Sequence, residues 1–256
     1  MDARPLKFIA AACAGELLQG APDTLATRVC TDSRQARARD VFIALRGERF
    51  DGHDFVNDVA AKGVVAVVVE RGKIPSPQLP AAVIVVNDTR RALLDLAAAY
   101  RADFNLPVVA VGGSNGKTTT KDLIASVLGM GFSTLASEAS FNNDIGVPLT
   151  LLRLESSHQL AVLELGTNHP GELAPLLRLA QPRLGVITNI GREHLEFFGD
   201  LEGVAQEEGV LAEHLPADGT LFLNGDDAWS EAIARRTAAR VVRVGWGEGN
   251  DWRARE

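Results

Sequence analysis

Cysteine is scarce in this sequence of 256 residues, where only Cys13 and Cys30 occur. Two cysteines are too few for the disulfide framework of a small secreted domain, and too few for a metal site built from thiolates. They suit a reducing compartment, and we therefore expect a cytoplasmic protein.

Runs of basic residues are also missing, and the formal net charge at pH 7 is −7. Because a nucleic-acid-binding surface needs clustered lysine and arginine, we expect no nucleic-acid partner. A polyanionic ligand would have to be held locally by loops and a few cations, which favours a nucleotide. No apolar run has the length of a membrane span, so we expect no membrane partner, and we expect a monomer.

The apolar N-terminal stretch FIAAACAG follows two basic residues, as the core of a secretion signal does. The run is short, however, and Leu6, Ile9 and Cys13 fall at helical spacing. A surface helix that ends at Gly20 explains the segment equally well, and we expect this helix rather than export or lipid attachment.

The first part of the chain carries an α/β pattern. Three apolar, β-branched runs predict strands: DVFIAL (40–45), GVVAVVVE (63–70) and AAVIVV (81–86). The segment RGKIPSPQLP (71–80) predicts a loop, and residues 88–104 predict a helix capped by Asp88 or Thr89. Because NLP then marks a boundary, we expect a small N-terminal α/β domain over residues 1–104.

From residue 107 onward, apolar strands alternate with helices. The predicted strands are VVAV (108–111), LAVLELG (160–166), LGVITNI (184–190), TLFLNGD (220–226) and RVVRVG (240–245), and the predicted helices are 117–128, 172–180 and 201–214. Nearly continuous apolar strands between helices imply a parallel sheet buried on both faces. The expected fold class is therefore α/β, and residues 105–256 form a mostly parallel-sheet domain whose ligands bind beyond the carboxyl ends of the strands.

The segment VGGSNGKTTTK (111–121) joins the first of these strands to a helix. It reads as a phosphate-binding loop, although Val111 stands where the usual spelling has a glycine. Backbone N–H groups at such a helix N-terminus stabilise an anion; Lys117 would contact the terminal phosphates, and the Thr118 hydroxyl would stand at the magnesium position. The alternative is a tight strand-to-helix turn with an exposed lysine. The expected nucleotide-binding residues are Gly112, Gly113, Ser114, Asn115, Gly116, Lys117, Thr118, Thr119 and Asn189.

Polar residues follow the next two strands at the same edge of the sheet. Glu164 ends the apolar part of LAVLELG and is a natural Mg²⁺ ligand, unless it caps the helix that starts near Pro170. Asn189, Glu193 and His194 follow LGVITNI. An isolated histidine is more often structural, and only its location favours a functional His194.

Four motifs occur in order along the chain: VGGSNGKTTTK, FNNDIGVPLTLLRL, LELGTNHPGEL and TNIGREHLEFFGDLEGVA. Together they resemble the Mur ligases, and the match extends over nearly the whole chain. The N-terminal TDSRQARARDVFIALRGERFDGHDF and the NND motif resemble the members of that family that add a dipeptide. Because these enzymes have the shortened phosphate loop seen from Gly112 to Thr118, the resemblance implies a nucleotide site here.

The resemblance implies ATP-driven amide formation in peptidoglycan precursor synthesis. The γ-phosphate of ATP would pass to the terminal carboxylate of UDP-N-acetylmuramoyl-tripeptide, and the amine of D-alanyl-D-alanine would attack the resulting acyl phosphate. Lys117, the loop N–H groups and Mg²⁺ would neutralise charge during this transfer. Carried over by motif, Thr118 and Glu164 would hold Mg²⁺, and His194 would hold a second metal nearer the acyl group.

Further residues match binding positions of the family. Ser33, Arg34 and the loop around His53 match the region that binds the UDP-sugar, whereas Asn142, Asn143, Asn168 and His169 match positions that face the muramoyl peptide. Without the resemblance, His53 and His169 show only loop positions at which an anion could bind. The expected catalytic residues are Lys117, His194 and Glu208.

Glu208 departs from the family pattern. An ungapped match puts it where relatives have a lysine whose carbamylated side chain faces a metal. We hypothesise that Glu208 supplies that negative charge directly. Because its carboxyl group lies several bonds nearer the backbone, the helix must approach the metal or a water must bridge. The alternative is a solvent-facing helix acid, and the neighbouring Glu207 blurs the register.

The second departure lies at the end of the chain, since relatives continue beyond Glu256 through the rest of the central domain and a C-terminal domain. The resemblance therefore implies that these 256 residues bind the UDP-sugar peptide, bind ATP weakly and make little product. Other readings stay open: a sister Mur ligase that adds a single amino acid, a folylpolyglutamate-synthase-like enzyme, against which TDSR argues, and a nucleotide switch or non-catalytic sugar-nucleotide-binding fragment.

Overall fold

The computed structural model describes residues 1–73 and 79–255. They form two compact units: unit 1 consists of Met1–Phe104 with Leu151–Ser156, and unit 2 consists of Asn105–Thr150 with Ser157–Glu256. The chain first passes between the units at the NLP segment. The short segment Leu151–Ser156 was not expected in unit 1, where the Tyr100 hydroxyl donates a hydrogen bond of 2.6 Å to the Leu154 carbonyl oxygen. The described residues contain no helix with the length and apolar character of a membrane span.

Unit 1 is built on a five-stranded sheet. Its elements are β1 (Arg4–Pro5), α1 (Leu6–Ala12), β2 (Glu16–Gln19), β3 (Leu25–Ala26), β4 (Arg28–Cys30), β5 (Asp40–Ile43), α2 (Val56–Ala61), β6 (Ala66–Glu70), β7 (Ala82–Val86) and α3 (Thr89–Arg101). Strands β4 to β7 run parallel, and β2 pairs antiparallel with β7. The three predicted strands are confirmed as β5, β6 and β7. The predicted loop 71–80 includes residues 74–78, which lie outside the described residues.

Helix α3 begins and packs as its sequence pattern predicts. The Asp88 side chain accepts a hydrogen bond of 2.9 Å from the Arg91 N–H, which satisfies one of the free donors of the first turn. Leu93 and Leu96 are buried on the inner face of the helix. The helix ends at Arg101, slightly before the predicted end at residue 104.

The N-terminal helix is much shorter than its spacing predicts. Helix α1 ends at Ala12, and Glu16–Gln19 forms β2 instead of continuing the helix to Gly20. Gly15 lies so close to β7 that a Cβ atom would come within 2.9 Å of Ile84 Cγ2. The predicted long helix was wrong because an edge of the sheet was available for strand pairing, and helical spacing within the segment does not reveal such a partner.

Unit 2 contains a seven-stranded sheet. Its elements are β8 (Val108–Gly112), α4 (Lys117–Gly129), β9 (Thr134–Ala136), α5 (Gly146–Leu151), β10 (Leu160–Glu164), α6 (Leu173–Ala180), β11 (Leu184–Ile187), α7 (Leu195–Phe198), α8 (Leu201–Glu208), α9 (Val210–Glu213), β12 (Thr220–Asn224), α10 (Ser230–Ala234), β13 (Arg240–Gly245) and β14 (Trp252–Arg253). The strand order is β14-β13-β12-β11-β8-β10-β9, and every pairing is parallel. The predicted parallel α/β fold is confirmed.

The phosphate-loop strand β8 lies at the point where the strand order reverses. Its neighbours are β10 on one side and β11 on the other, with Glu164 of β10 beside Val111 and Ile187 of β11 beside Gly112. All three strands therefore end at the same level. Parallel sheets bind ligands beyond the carboxyl ends of their strands at such a point, so the loops that follow β8, β10 and β11 are where a ligand site is expected.

Unit 2 differs from the prediction in its short elements and in one long helix. Strands β9 and β14 and helices α5, α7 and α10 were not predicted, because each is too short to show a clear hydrophobic period. The predicted helix 201–214 is divided at Gly209 into α8 and α9. A Cβ atom at Gly209 would come within 2.0 Å of Arg236 Nη1, and the Arg236 guanidinium donates hydrogen bonds to the carbonyl oxygens of Ala205 and Gln206 at the end of α8. The glycine at the break therefore leaves room for the Arg236 side chain, which caps the end of α8.

Candidate active site

The phosphate loop requires glycine at two positions. Gly113 has a φ of +103°, and a Cβ atom there would come within 2.4 Å of the Thr188 Oγ1 atom. Gly116 has a φ of +80° and immediately precedes helix α4. Both backbone conformations are in the region that side chains disfavour, so the loop can form its tight turn only with these glycines.

The loop after β11 holds the phosphate loop in place. The Ser114 N–H donates to the Asn189 carbonyl oxygen at 2.9 Å, and the Gly191 N–H donates to Ser114 Oγ at 2.8 Å. The Asn189 side chain pairs with the backbone of Asn115, accepting from its N–H at 3.2 Å and donating to its carbonyl oxygen at 3.0 Å. Asn189 therefore orders the loop through Asn115, and its predicted nucleotide contact stays a prediction.

Lys117 lies folded over the loop. Its ammonium group donates hydrogen bonds to the carbonyl oxygens of Gly113 at 2.5 Å and Ser114 at 3.1 Å, and it lies 3.5 Å from Glu193 Oε2. Its side chain is only 14% exposed. The alternative of a turn with an exposed lysine is therefore wrong, and the positive charge stands where a phosphate bound by the loop would meet it.

Glu164 is buried at the carboxyl end of β10. Its Oε1 atom accepts a hydrogen bond of 2.8 Å from the Asn142 side-chain amide, and its Oε2 atom has no hydrogen-bond partner among the described residues. The suggested cap of the following helix is wrong, because Glu207 accepts from the Leu173 N–H at the start of α6. A buried carboxylate oxygen without a donor is costly unless a cation binds it, so this atom fits a divalent metal.

His194 lies in the loop after β11, one residue beyond Glu193. It is exposed and precedes α7, and its φ of 44° is unusual for a residue with a side chain. Such strained positions occur often at functional sites. Within residues 1–73 and 79–255, no group of three His, Cys, Asp or Glu side chains could hold a metal ion. The predicted roles of Thr118, Glu164 and His194 as metal ligands therefore stay predictions.

Glu208 is buried against the phosphate loop. Its Oε2 atom accepts a hydrogen bond of 2.6 Å from the Gly113 N–H, and its Oε1 atom has no partner among the described residues. The solvent-facing alternative is wrong, since Glu208 is 1% exposed. Burial raises the pKa of Glu208 to about 7, against the opposing effect of the Lys117 charge. Helix α8 thus approaches the loop closely enough for a glutamate to reach it.

Glu207 carries contacts that the sequence did not indicate. It is buried, and its carboxylate accepts hydrogen bonds from the Gly171 N–H at 2.8 Å and the Leu173 N–H at 2.9 Å. Spacing along a helix normally indicates whether a residue faces the core or the solvent. With two consecutive acids, spacing does not show which of the two faces the core. The sequence offered no further signal, because the partners of Glu207 lie more than thirty residues earlier in the chain.

The loop between β10 and α6 carries two of the expected peptide-facing residues. The N–H groups of Asn168 and His169 donate to Glu172 Oε2 at 2.8 and 3.1 Å, and His169 Nδ1 lies 2.9 Å from Glu172 Oε1. The His169 ring also packs on Phe197, with ring centroids 4.1 Å apart. Asn168 and His169 are both exposed.

The other expected peptide-facing residues lie between β9 and α5. The Asn142 side-chain amide donates a hydrogen bond to Glu164. The backbone carbonyl oxygen of Asn142 accepts a hydrogen bond of 2.9 Å from the Gly166 N–H. Asn143 Oδ1 accepts from the N–H groups of Ile145 and Gly146 at the start of α5. Both side chains thus order this loop, and their predicted contact with the peptide stays a prediction.

Lys121 was not recognised from the sequence. It lies one turn beyond Lys117 on α4, is 1% exposed, and donates hydrogen bonds to the carbonyl oxygens of Ser137 at 2.9 Å and Ala139 at 3.3 Å. Ser137 Oγ in turn accepts from the Glu164 N–H at 3.2 Å. A lysine in a helix is usually exposed, so its residue type gave no sign of this connection.

Unit 1 contains a pocket of about 390 Å³ beside the TDSR segment. It is lined by Thr31, Asp32, Ser33, Arg34, Phe42, Leu45, Phe50, Gly52 and Phe55. The Arg34 guanidinium donates two hydrogen bonds to the Asp32 carboxylate, at 2.9 and 2.8 Å, which lower the pKa of Asp32 to about 2. Ser33 and Arg34 thus line a preformed pocket with polar and apolar walls.

His53 lies beside this pocket without lining it. Its ring is 4% exposed, its Nδ1 atom lies 2.5 Å from Asp51 Oδ1, and its Nε2 atom accepts a hydrogen bond of 3.0 Å from the Glu70 N–H. Both ring nitrogens are therefore in use. The ring thus fixes the loop that contributes Gly52 and Phe50 to the pocket, and the predicted role of His53 in substrate binding stays a prediction.

Residues 111–256 match the Mur ligase middle domain, and residues 26–101 match the catalytic domain of the Mur ligase family. The chain belongs to the Mur ligase family. Its shortened phosphate loop is thus the Mur ligase form of that loop, and the resemblance drawn from the four motifs is confirmed.

Individual Mur ligases agree with this assignment. The chain is 41% identical over 228 residues to the UDP-N-acetylmuramoyl-tripeptide–D-alanyl-D-alanine ligase of Bacillus subtilis, a match of 89% of this chain and 49% of that protein. It is 42% identical to the ligase of the same name from Escherichia coli, over 87% of this chain and 49% of that one. The chain therefore spans about half the length of these relatives.

Solved Mur ligases have the same fold. A crystal structure of MurF from Acinetobacter baumannii matches with a TM-score of 0.89 and 36% identity, covering 98% of this chain and 55% of that one. The MurF ligase of Thermotoga maritima in complex with ADP matches with a TM-score of 0.78 and 31% identity, covering 88% of this chain and 52% of that one.

Proposed function

We propose that this chain is the sugar-nucleotide-binding and phosphate-binding part of a ligase that joins D-alanyl-D-alanine to UDP-N-acetylmuramoyl-tripeptide with ATP, in cytoplasmic peptidoglycan precursor synthesis. The observation that carries the proposal is the phosphate loop. The Lys117 ammonium lies over it, 3.5 Å from Glu193 Oε2, and the carboxylates of Glu164, Glu193 and Glu208 each have one buried oxygen without a partner among the described residues.

The reaction is an electrostatic problem for such a loop. A carboxylate oxygen of the tripeptide attacks the γ-phosphorus of ATP, the bond to the bridging oxygen breaks, and ADP leaves. The attacking and attacked groups are both negative, so positive groups must be in place before they meet. Lys117 would exchange its two carbonyl partners for phosphate oxygens, and the free loop N–H groups would hold the same oxygens.

The second step uses the activated carbonyl group. The amine of D-alanyl-D-alanine attacks the acyl carbon, phosphate leaves with the former carboxylate oxygen, and the amine loses a proton to complete the amide. The residues proposed to hold the peptide at this point are Asn142, Asn143, Asn168 and His169, and the expected catalytic set is Lys117, His194 and Glu208. The peptide-side residues lie in the loops after β9 and β10.

The residues at the strand ends fit a divalent cation. Glu164 Oε2 is buried without a donor, and hard cations such as Mg²⁺ prefer carboxylate and hydroxyl oxygens. Thr118 and Glu164 would hold Mg²⁺, and His194 would hold a second metal. Bound Mg²⁺ would neutralise charge on the phosphate oxygens. Glu208 would supply the negative charge that relatives obtain from a carbamylated lysine, since its Oε1 atom is also unpartnered among the described residues.

In unit 1, we propose that the pocket beside the TDSR segment receives the UDP moiety. The Arg34 side chain is 86% exposed at its rim, and its planar guanidinium suits a diphosphate. Ser33 provides a hydroxyl group on the same wall. The aromatic side chains of Phe42, Phe50 and Phe55 provide the apolar part of the pocket.

The test is the substrate dependence of phosphate release in a chain of the relatives' full length that carries this sequence, called here the full-length ligase. We expect release only when ATP, UDP-N-acetylmuramoyl-tripeptide and D-alanyl-D-alanine are all present, together with formation of the pentapeptide product. Release that ignores the two other substrates would instead indicate a nucleotide switch. Product formed with a single amino acid in place of the dipeptide would indicate a sister Mur ligase.

A further inference from the structure

Helix α8 ends in two consecutive buried glutamates that bind two different loops. Glu207 accepts hydrogen bonds from the N–H groups of Gly171 and Leu173, in the loop between β10 and α6. Glu208 accepts from the N–H of Gly113, in the phosphate loop. Consecutive side chains on a helix point about 100° apart, so one short helix end can reach both loops at once.

The contact made by Glu207 replaces a local cap. Glu172, the residue before α6, has no side-chain hydrogen bond to the start of that helix. The free N–H of Leu173 is satisfied instead by Glu207, from another helix. Local caps are common and require no partner elsewhere in the chain. A cap supplied by a distant buried carboxylate does more, because it also fixes the distance between the two elements.

The capped loop is the one that carries Asn168 and His169. Glu172 accepts hydrogen bonds from both of their N–H groups, and the Thr167 hydroxyl donates to the His169 carbonyl oxygen at 2.8 Å. The loop is therefore internally rigid, and the Gly171 and Leu173 contacts with Glu207 set its place. Moving Glu207 would move Asn168 and His169 as a unit.

We propose that Glu207 is a positioning residue that fixes the Asn168–His169 loop relative to the phosphate loop, which the neighbouring Glu208 contacts from the same helix end. This inference rests on the proposed function, in which these two loops hold the tripeptide and the γ-phosphate of ATP. The two reacting groups must be brought within van der Waals distance and in line. A misplacement of about 1 Å lowers the rate of such a transfer about 10²-fold.

The substitution Glu207→Gln tests this role, because glutamine has nearly the same shape but can accept at only one of the two positions. Its amide NH₂ would face a backbone N–H, donor against donor. The control is Glu202→Gln, which removes an exposed acid from the first turn of the same helix. Should Glu207→Gln fail to fold, Glu207→Asp serves in its place, since its shorter side chain cannot span both donors.

The first measurement is amide hydrogen exchange in the 256-residue chain without ligands. We expect the Gly171 and Leu173 amides to exchange at least about 10-fold faster in Glu207→Gln, in line with the loss of about 1.4 kcal/mol of local protection. The Glu202→Gln control should match the parent. Unchanged exchange at Gly171 and Leu173 would overturn the inference.

The second measurement is steady-state kinetics of the full-length ligase. We expect Glu207→Gln to lower kcat about 10-fold or more, and to leave the KM for ATP within about twofold of the parent. A merely structural role would lower activity only through the folded fraction, with kcat per folded molecule unchanged, and that result would overturn the inference. If the parent itself makes no product, the proposed function fails, and the exchange experiment still decides whether Glu207 positions the loop.

Discussion

The two candidate binding regions differ in how they treat charge. At the strand ends of unit 2, the carboxylates of Glu164, Glu193 and Glu208 each have one buried oxygen that no described residue contacts by a hydrogen bond, and Lys117 is folded away from solvent. At the pocket of unit 1, the Asp32 carboxylate is matched by Arg34 at the surface. Buried unsatisfied charge is costly and persists where a ligand completes it, whereas a satisfied surface pair needs no ligand.

This difference agrees with the proposed roles of the two regions, a reaction centre in unit 2 and a recognition site in unit 1. Under the proposed function, cations and phosphate groups would complete the charges at the strand ends of unit 2, so we expect the stability and the activity of this region to be connected. The pocket of unit 1 is already formed, and both polar and aromatic side chains line it. We therefore expect substitutions in unit 2 to change both rate and stability, and substitutions in unit 1 to change affinity alone.

The largest effect should come from Lys117→Ala. This change removes the ammonium group beside the phosphate loop, and we expect kcat of the full-length ligase to fall about 10²- to 10³-fold, as when one charge-stabilising group is removed from a reaction centre. The measurement is formation of the pentapeptide product at saturating substrates. Lys7→Ala, an exposed lysine of unit 1 that pairs, among the described residues, only with the exposed Asp23, is the control and should retain the parent's kcat. Parent-like turnover in Lys117→Ala would remove the basis for the proposed reaction centre.

The next effect concerns stability and pH. The folded pKa of Glu208 is raised to about 7 from an ordinary value of 4.5, so the folded state binds this proton more tightly than the unfolded state does. The contribution of Glu208 to the free energy of unfolding is fully present below pH 4.5. It is lost as the pH rises through 7, by at most about 3 kcal/mol. Glu208→Gln stays neutral and should remove this loss.

Urea unfolding at pH 5 and pH 8 measures this effect in the 256-residue chain. The fall in the free energy of unfolding between the two pH values should be smaller in Glu208→Gln than in the parent. Glu202→Gln, which removes an acid from the exposed side of the same helix, serves as the control for the loss of one carboxyl group. An identical fall in the parent and in Glu208→Gln would show that Glu208 is not desolvated as its position implies.

The regions also differ in how far they could be predicted. The strand-helix alternation of unit 2, the location of Glu164 at a strand end and the glycines of the loop follow from local patterns, because buried parallel strands and phosphate loops have characteristic sequences. The environments of Glu207, Glu208 and Lys121 do not. Each depends on a partner far away in the chain, and no local pattern distinguishes a buried helix acid from an exposed one.

In unit 1 the features that the sequence did not reveal have the same origin. Strand β2 forms because β7 offers an open edge, and the helical spacing of its residues carries no information about that edge. The His53 ring is occupied by Asp51 and by the backbone of Glu70, which is 17 residues further along the chain. Local sequence thus predicted where polar groups gather, and tertiary contacts decided which of them remain available to a ligand.

The smallest effect should come from Arg34→Ala, and it tests the comparison most directly. The Arg34 side chain is 86% exposed, and an exposed ion pair contributes about 0–1 kcal/mol, so the free energy of unfolding should change little. The affinity for UDP-N-acetylmuramoyl-tripeptide should fall about 10-fold, because a guanidinium group forms strong charge-assisted hydrogen bonds with a diphosphate. Titration calorimetry with that ligand measures the change.

The matched control for this last experiment is Arg37→Ala, an exposed arginine three residues further along that does not line the pocket. It removes the same charge from the same segment, so an equal loss of affinity in both variants would indicate general attraction of an anion rather than a contact in the pocket. A loss confined to Arg34→Ala, without a change in stability, would mean that unit 1 recognises its ligand through a surface charge that folding does not require. The buried carboxylates of unit 2 would then contrast with Arg34, because we expect their substitution to change both the free energy of unfolding and kcat.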